Sequence, residues 1–174
     1  MGVKKDILNS GYSDYNAVYG WQKKLGQNTI NFGYINSFKE AADDLVEKLC
    51  PDLYIFPIMF CYRQYLELIL KNIYFVNAKD EDYNDFLRKV SHDLLKIWSY
   101  VKPILAKDHS DSEVDLIDNV VCLIHEIDPK SYTFRYPKDK KQNDSIQSDL
   151  TINTKNLKKY IDKVDDILRY TYDS

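Results

Sequence analysis

Apolar residues recur at helical spacing along most of this chain, and the segments between them are short and polar. The spacing predicts five helices, four of them long. They run from a cap at Ser37 to the residue before Pro51, over about 52–76, from a cap at Ser91 to near Pro103, from a cap at Ser112 to about Asp128, and from a cap at Thr154 onward. With no repeats and no alternation of strand and helix, the pattern predicts an all-α, up-and-down four- to five-helix bundle.

The apolar faces of these helices predict the core. The second helix is hydrophobic almost all round, which is typical of a central helix. The other predicted core positions are Phe38, Ala41, Ala42, Leu45 and Leu49, then Leu94, Ile97, Trp98, Val101 and Leu105, then Val114, Ile117, Val120, Val121, Ile124 and Ile127, and finally Leu157, Tyr160, Ile161, Val164, Ile167, Leu168 and Thr171.

Three segments lack a long helical pattern. Residues 1–35 are rich in Gly, Asn, Tyr and Ser and are predicted to form an irregular N-terminal arm, with a short helix over 18–25, ahead of a bundle domain over 36–174. Residues 77–90 are an acidic connection with one or two helical turns. Alternation at 132–136 and 150–152 predicts a small hairpin or extended insert before the last helix.

Composition narrows the class of protein. The formal net charge is −3, from 24 Lys and Arg against 27 Asp and Glu, and this argues against duplex DNA as a ligand. The three cysteines are far apart and are predicted to be small buried apolar residues, so neither a zinc site nor any other metal or cofactor is predicted. The first residues have no apolar signal region, and charges interrupt the apolar stretch at 53–76. We therefore expect a cytoplasmic protein with no membrane partner.

Tyrosine is unusually frequent, with 15 copies against 7 Phe and 2 Trp. Tyr suits half-buried positions and interfaces, because an apolar ring carries a polar hydroxyl. Codon usage in an AT-rich genome would give the same excess.

A narrow polar stripe of Arg63, Glu67 and Lys71 crosses the otherwise apolar second helix. It is either a solvated ladder of i,i+4 pairs or a set of charges with partners inside the bundle. Because charges on so apolar a helix need partners, we expect Arg63 and Glu67 to interact with the turn at His92-Asp93. His92 and Asp93 open the next predicted helix, where the positive helix end would keep the imidazole neutral. A neutral His92 can accept a hydrogen bond from an Arg or act as a base; the alternative is a first-turn residue without a function.

Arg135 stands among aromatic residues in the segment Tyr132–Tyr136, where it can stack on a ring, pair with a carboxylate or bind an anion. The stretch 135–141 holds four basic residues and one acid, and its alternative interpretation is a solvated turn. Lys71, Tyr136 and Lys138 are candidate binding residues.

Three stretches together resemble the HEPN superfamily of helical-bundle proteins: FCYRQYLELILKNI at 60–73, SHDLLKIW at 91–98 and IDPKSYTFRYPKD at 127–139. The resemblance covers about 52–172. It implies an up-and-down bundle, frequent homodimers and, for many members, metal-independent RNA cleavage in toxin–antitoxin, phage-defence or RNA-processing systems. Other members of the superfamily bind partner proteins without catalysis.

The nuclease members carry an Arg and, after four to six residues, a His, and that spacing is missing here. Arg63 has no such His after it, only three residues separate Arg88 from His92, and His125 precedes Arg135. What matches is a subgroup with Arg63 and Glu67 on one helix, His92-Asp93 opening the next, and Phe134-Arg135-Tyr136-Pro137.

The resemblance therefore implies a homodimeric, noncatalytic module for a partner protein or for an RNA or nucleotide ligand. The alternative is a ribonuclease in which Arg63 or Arg135 stabilises the phosphate and His92 takes the 2′-hydroxyl proton, with Glu67 and Asp93 as further candidate catalytic residues.

Overall fold

The computed structural model describes residues 27–77, 83–139, 141–146 and 149–173, together with residue 17. Within these ranges the protein is all-helical, as predicted. The helices are α1 (Gln27–Val46), α2 (Pro51–Asn77), α3 (Tyr83–Val90), α4 (Leu94–Leu105), α5 (Asp111–Ile127) and α6 (Thr154–Asp173). The predicted short helix at 18–25 lies outside the described residues.

Four helices close a ring around one core. α2 packs against α4 and α6, and α5 packs against the same two helices from the other side. The short helix α3 lies against α4. Because α2 is enclosed by its neighbours, apolar side chains around most of its circumference are buried.

The predicted core positions on α4 and α5 are confirmed. All five residues on the α4 face are buried, and so are all those on the α5 face except Ile127, which is half-buried. On α6 the buried positions are Leu157, Ile161, Val164 and Leu168, whereas Tyr160 is exposed.

The first helix begins and ends earlier than the sequence pattern predicted. Ser37 lies inside α1, where its hydroxyl donates to the Tyr34 carbonyl at 2.9 Å, so it does not cap the helix and residues 27–35 are not irregular. The helix ends at Val46, which leaves Leu49 98% exposed, and Ala41 is exposed as well. Pro51 opens α2 as expected.

Three other caps differ from the predicted residues by one or two positions. Asp93, not Ser91, caps α4 by accepting from the Lys96 backbone N–H, and Ser91 itself has a left-handed φ of 49°. Ser110, not Ser112, caps α5 in a reciprocal capping box with Glu113. At α6, Asn153 precedes the first turn and its side chain accepts from the Asn156 backbone N–H at 2.9 Å.

The predicted hairpin before the last helix is wrong in the part that the structure describes. Tyr132 starts a turn in which its carbonyl accepts from the backbone N–H groups of Arg135 and Tyr136. The only strand-like pairing in the described part of this segment is an isolated antiparallel bridge between Lys138 and Asp144. In place of strand pairing, carboxylate oxygens of Asp128 and Asp139 accept from backbone N–H groups of this segment.

The chain divides into two compact units, Met1–Gly33 and Tyr34–Ser174. The boundary falls inside α1. Of the first unit the structure describes little more than the opening turns of that helix, and the ring of four helices belongs to the second.

By length and composition alone, α2 is the one helix in the described ranges that is apolar enough to cross a membrane. Its most apolar 18 residues have a mean hydropathy of 1.2, and half of them are buried against the rest of the protein. Arg63 and Glu67 are among its buried residues and are paired inside the bundle. A core helix of a soluble protein is built in this way.

Candidate functional site

Arg63 lies at the centre of a buried cluster of charges and is completely enclosed, with 0% of its surface exposed. Its Nη1 group donates to Glu67 Oε2 at 2.9 Å and its Nη2 group to the His92 carbonyl at 2.6 Å. Nε donates to the Asp128 carbonyl at 3.1 Å and lies 3.4 Å from the Asp128 carboxylate. Each nitrogen of the guanidinium is therefore directed at a protein acceptor, in the fork geometry that suits Arg and not Lys.

Glu67 is the second buried member of the cluster and accepts from three side chains. In addition to Arg63, Lys71 Nζ donates to Oε1 at 2.8 Å and His92 Nδ1 lies 2.8 Å from the same oxygen. Burial by itself would raise the pKa of Glu67. The hydrogen bonds and charges of Lys71 and His92 outweigh burial and hold that pKa below its usual value.

An ionised Glu67 fixes the state of the neighbouring imidazole. A carboxylate without a proton can only accept, so His92 Nδ1 must carry the hydrogen. The His92 side chain is 63% exposed, and within the described ranges its Nε2 atom has no hydrogen-bond partner. The result is a carboxylate-oriented imidazole whose second nitrogen faces solvent.

The turn between α3 and α4 is fixed by its backbone carbonyls. Lys71 Nζ donates to the Ser91 carbonyl at 2.6 Å, and Arg63 binds the carbonyl of the next residue, His92. Ser91 is held in the left-handed region, which costs a residue with a Cβ atom on the order of 1–2 kcal/mol. The buried charges on α2 therefore hold a strained turn in place.

Asp128 connects the same cluster to the segment that follows α5. One oxygen of its carboxylate accepts from the backbone N–H groups of Tyr132 and Thr133, at 2.6 and 3.0 Å. Its backbone carbonyl accepts from Arg63 and from the Ser131 N–H. Asp128 is 2% exposed and organises the turn in which Arg135 lies.

The exposed part of that turn carries the remaining candidates. Arg135 donates from Nη2 to the Ser131 carbonyl, and its guanidinium carbon lies 5.7 Å from the centroid of the Tyr136 ring. Tyr136 packs on Tyr132 with ring centroids 4.7 Å apart. Lys138 is exposed and pairs loosely with Asp144 at 3.7 Å. These side chains form an aromatic and basic surface outside the buried cluster.

Asp93 has partners different from those of Glu67 and Arg63. Its Oδ1 atom accepts from the Lys96 backbone N–H at 3.2 Å and lies 3.6 Å from His125 Nδ1. Among the described residues that nitrogen has no hydrogen-bond partner, although the protein covers it. Asp93 is thus the cap of α4 and the neighbour of a second histidine.

The structure brings together Arg63, Glu67, Lys71 and His92, and it leaves Asp93, Arg135, Tyr136 and Lys138 out of direct contact with that set. Sequence reasoning missed Asp128, which binds Arg63 and caps the next turn. An Asp followed by Pro129 at a helix end was the available signal, because Asx side chains at such positions bind backbone N–H groups a few residues on.

No group of three or more His, Cys, Asp or Glu side chains in the described part of the chain is arranged to hold a metal ion. The cysteines in these ranges are free, with Cys50 and Cys122 exposed and Cys61 half-buried, so two of the three are not the buried apolar residues that the sequence predicted. No protein-family model matches the chain, and no curated protein or solved structure is significantly similar to it.

Proposed function

We propose that this chain is a cytoplasmic, noncatalytic helical module of the HEPN type, which forms a homodimer and acts by binding a partner in a defence or toxin–antitoxin setting. The observation that supports this proposal best is the complete enclosure of Arg63. Arg63, one of the two arginines that could serve as the phosphate-stabilising cation of a ribonuclease, lies inside the bundle and donates to three protein acceptors.

Metal-independent cleavage of RNA requires a proton acceptor and a phosphate-stabilising cation at the same phosphodiester. For Arg63 to serve as that cation, it would have to leave Glu67 and Asp128. Breaking a buried pair costs about 3–5 kcal/mol, because it leaves an uncompensated buried charge. The cluster is instead suited to fix α2, the α4 turn and the segment after α5 against one another.

A ribonuclease is the second candidate function, and one observation favours it. The exposed His92 imidazole is oriented by the ionised Glu67 carboxylate, which is the arrangement of a general base with its positioning group. Arg135 would then supply the cation from the exposed turn.

Incubating the purified protein with a mixed RNA pool in EDTA separates the two functions. The binding-module proposal predicts no products ending in 2′,3′-cyclic phosphate. The ribonuclease predicts such products, and their loss in folded His92→Ala and Arg135→Ala variants. Arg88→Ala is the matched control, because it removes an exposed arginine that lies 3.6 Å from Asp85 on the same short helix, α3. Cleavage that persists in the control and disappears in the two variants would overturn our proposal.

A further inference from the structure

Three lysines form a ridge along the first half of α6. Lys155, Lys159 and Lys163 follow one another at intervals of four residues, so they lie on one side of the helix about 6 Å apart along its axis. All three are exposed. In the part of the chain that the structure describes, none of them forms an ion pair, and Lys163 Nζ lies 5.6 Å from the centroid of the Tyr160 ring.

Tyr160 adds an aromatic surface to this lysine ridge. Its side chain was predicted to be part of the core but is 49% exposed. A half-exposed Tyr beside a lysine has a large apolar area available for contact, and Tyr is enriched at protein interfaces for this reason.

A depression of about 380 Å³ runs beside the ridge. Its walls combine lysines with carboxylates. One wall residue, Glu47, follows α1, and the others lie on α6: Lys155, Lys158, Lys159, Asp162, Lys163 and Asp166. Lys158 is already neutralised, because its Nζ atom lies 2.7 Å from Asp162 and 3.5 Å from Asp43. The charges left for a partner on the ridge are those of Lys155, Lys159 and Lys163.

A buried polar network connects this part of α6 to α1 and α2. Lys39 on α1 is 7% exposed and donates to Asp43 and Asp162, both at 2.7 Å. Tyr62 on α2 donates to Asp43 at 2.7 Å, and Tyr65 donates to Asp165 at 2.6 Å. The hydrogen bonds to Asp162 and Asp165 fix the position of α6, so the helix that carries the ridge is held in place before a partner binds.

We propose that the lysine ridge, Tyr160 and the adjoining depression form the docking surface for an acidic helical segment of a partner protein. This proposal rests on the assignment of the chain as a binding module and names the chemistry of its partner. Acidic residues spaced by four on a helix would face the three lysines, while an apolar residue of the same helix packs on Tyr160.

The carboxylates in the depression favour a protein over a nucleic acid as the occupant. Glu47 and Asp166 would repel a phosphodiester backbone, which is negative at every step, whereas a partner helix can place a basic or neutral residue opposite each of them.

The test uses a helical peptide of about 18 residues, long enough to fold in water, with glutamates at i, i+4 and i+8 beside a leucine. Amide chemical shifts of the full chain are followed during titration at low ionic strength. The control peptide has the same composition with its glutamates distributed around the helix. We expect shifts confined to the ridge and the depression, and at least roughly threefold weaker binding in K159Q/K163Q. The matched variant K107Q/K130Q, which removes two exposed lysines elsewhere, should bind like wild type.

Four outcomes would overturn the proposal: no shifts at the ridge, equal binding of the two peptides, equal weakening in K107Q/K130Q, or tighter binding at the same residues by an oligouridylate of about twelve nucleotides. The last result would assign the surface to single-stranded nucleic acid. None of these outcomes bears on RNA cleavage, so failure of the docking surface and failure of the noncatalytic assignment remain distinguishable.

Discussion

Replacing Arg63 with alanine removes the residue on which three parts of the bundle converge. Its guanidinium links α2 to the carbonyl of His92 before α4 and to both the carbonyl and the carboxylate of Asp128 after α5. The variant leaves those acceptors without their donor in a region that the protein encloses. It also leaves a cavity the size of the lost side chain.

The expected loss in the free energy of unfolding is about 3–5 kcal/mol, the usual cost of breaking a buried ion pair by removing one partner. Each orphaned buried acceptor would alone cost about 1–3 kcal/mol. The total stays within the stated range because Glu67 keeps Lys71 and Asp128 keeps two backbone N–H donors. For a chain of this length, such a loss lowers Tm by roughly 6–20 °C.

Urea unfolding followed by far-ultraviolet circular dichroism measures the change directly. Arg88→Ala serves as the control, since Arg88 is 73% exposed and should change the free energy by no more than about 0.5 kcal/mol. Arg63→Lys should fall between the two, because an ammonium keeps the charge but not the planar fork. A loss below about 1 kcal/mol in Arg63→Ala would refute the reasoning and show that the guanidinium does not stabilise the bundle.

Three further predictions concern the turn at Ser91, the buried carboxylate of Glu67 and the oligomeric state. Ser91→Gly should stabilise the protein by up to about 1 kcal/mol in urea unfolding, because glycine adopts a left-handed φ without the steric cost; destabilisation would count against it. The pKa of Glu67 is lowered in the folded state. The stability that the ionised Glu67 contributes is therefore fully present above its unfolded pKa of 4.5 and is lost as pH falls through its folded pKa. Between pH 5 and 3 the wild type should therefore lose more stability than Glu67→Gln, and equal losses would contradict this. Sedimentation at micromolar concentration should give twice the monomer mass of 20.6 kDa, and a single monomer species would show the predicted homodimer to be wrong.

Helical periodicity predicted the class of fold and most of the core. The apolar faces of α4 and α5 are set by residues three and four apart, and this spacing is a local property that needs no knowledge of neighbours. The same argument failed at Leu49 and Tyr160, which follow the period but are exposed. Periodicity gives the side of a helix on which a residue lies, whereas burial requires another element opposite it.

The sequence also contained the charged stripe, and the argument that charges on an apolar helix need partners led correctly from Arg63 and Glu67 to the turn at His92. It did not identify the partner atoms, because two of the main acceptors of Arg63 are backbone carbonyls, which every residue possesses. It also placed the caps of α4 and α5 two residues from Asp93 and Ser110, since neighbouring Ser and Asp residues compete for the same role.

The sequence by itself determined that the chain forms a helical bundle whose central helix carries paired charges. Only the tertiary structure decided that Arg63 is enclosed while the ring of His92 is exposed. Both follow from packing: the turn before α4 and Asp128 after α5 both contact Arg63, which is fully enclosed, whereas the His92 side chain, in the turn ahead of the α4 cap, is 63% exposed and contacts Glu67 through Nδ1. Enclosure depends on what lies opposite a residue in space, and that information is spread over parts of the chain distant in sequence.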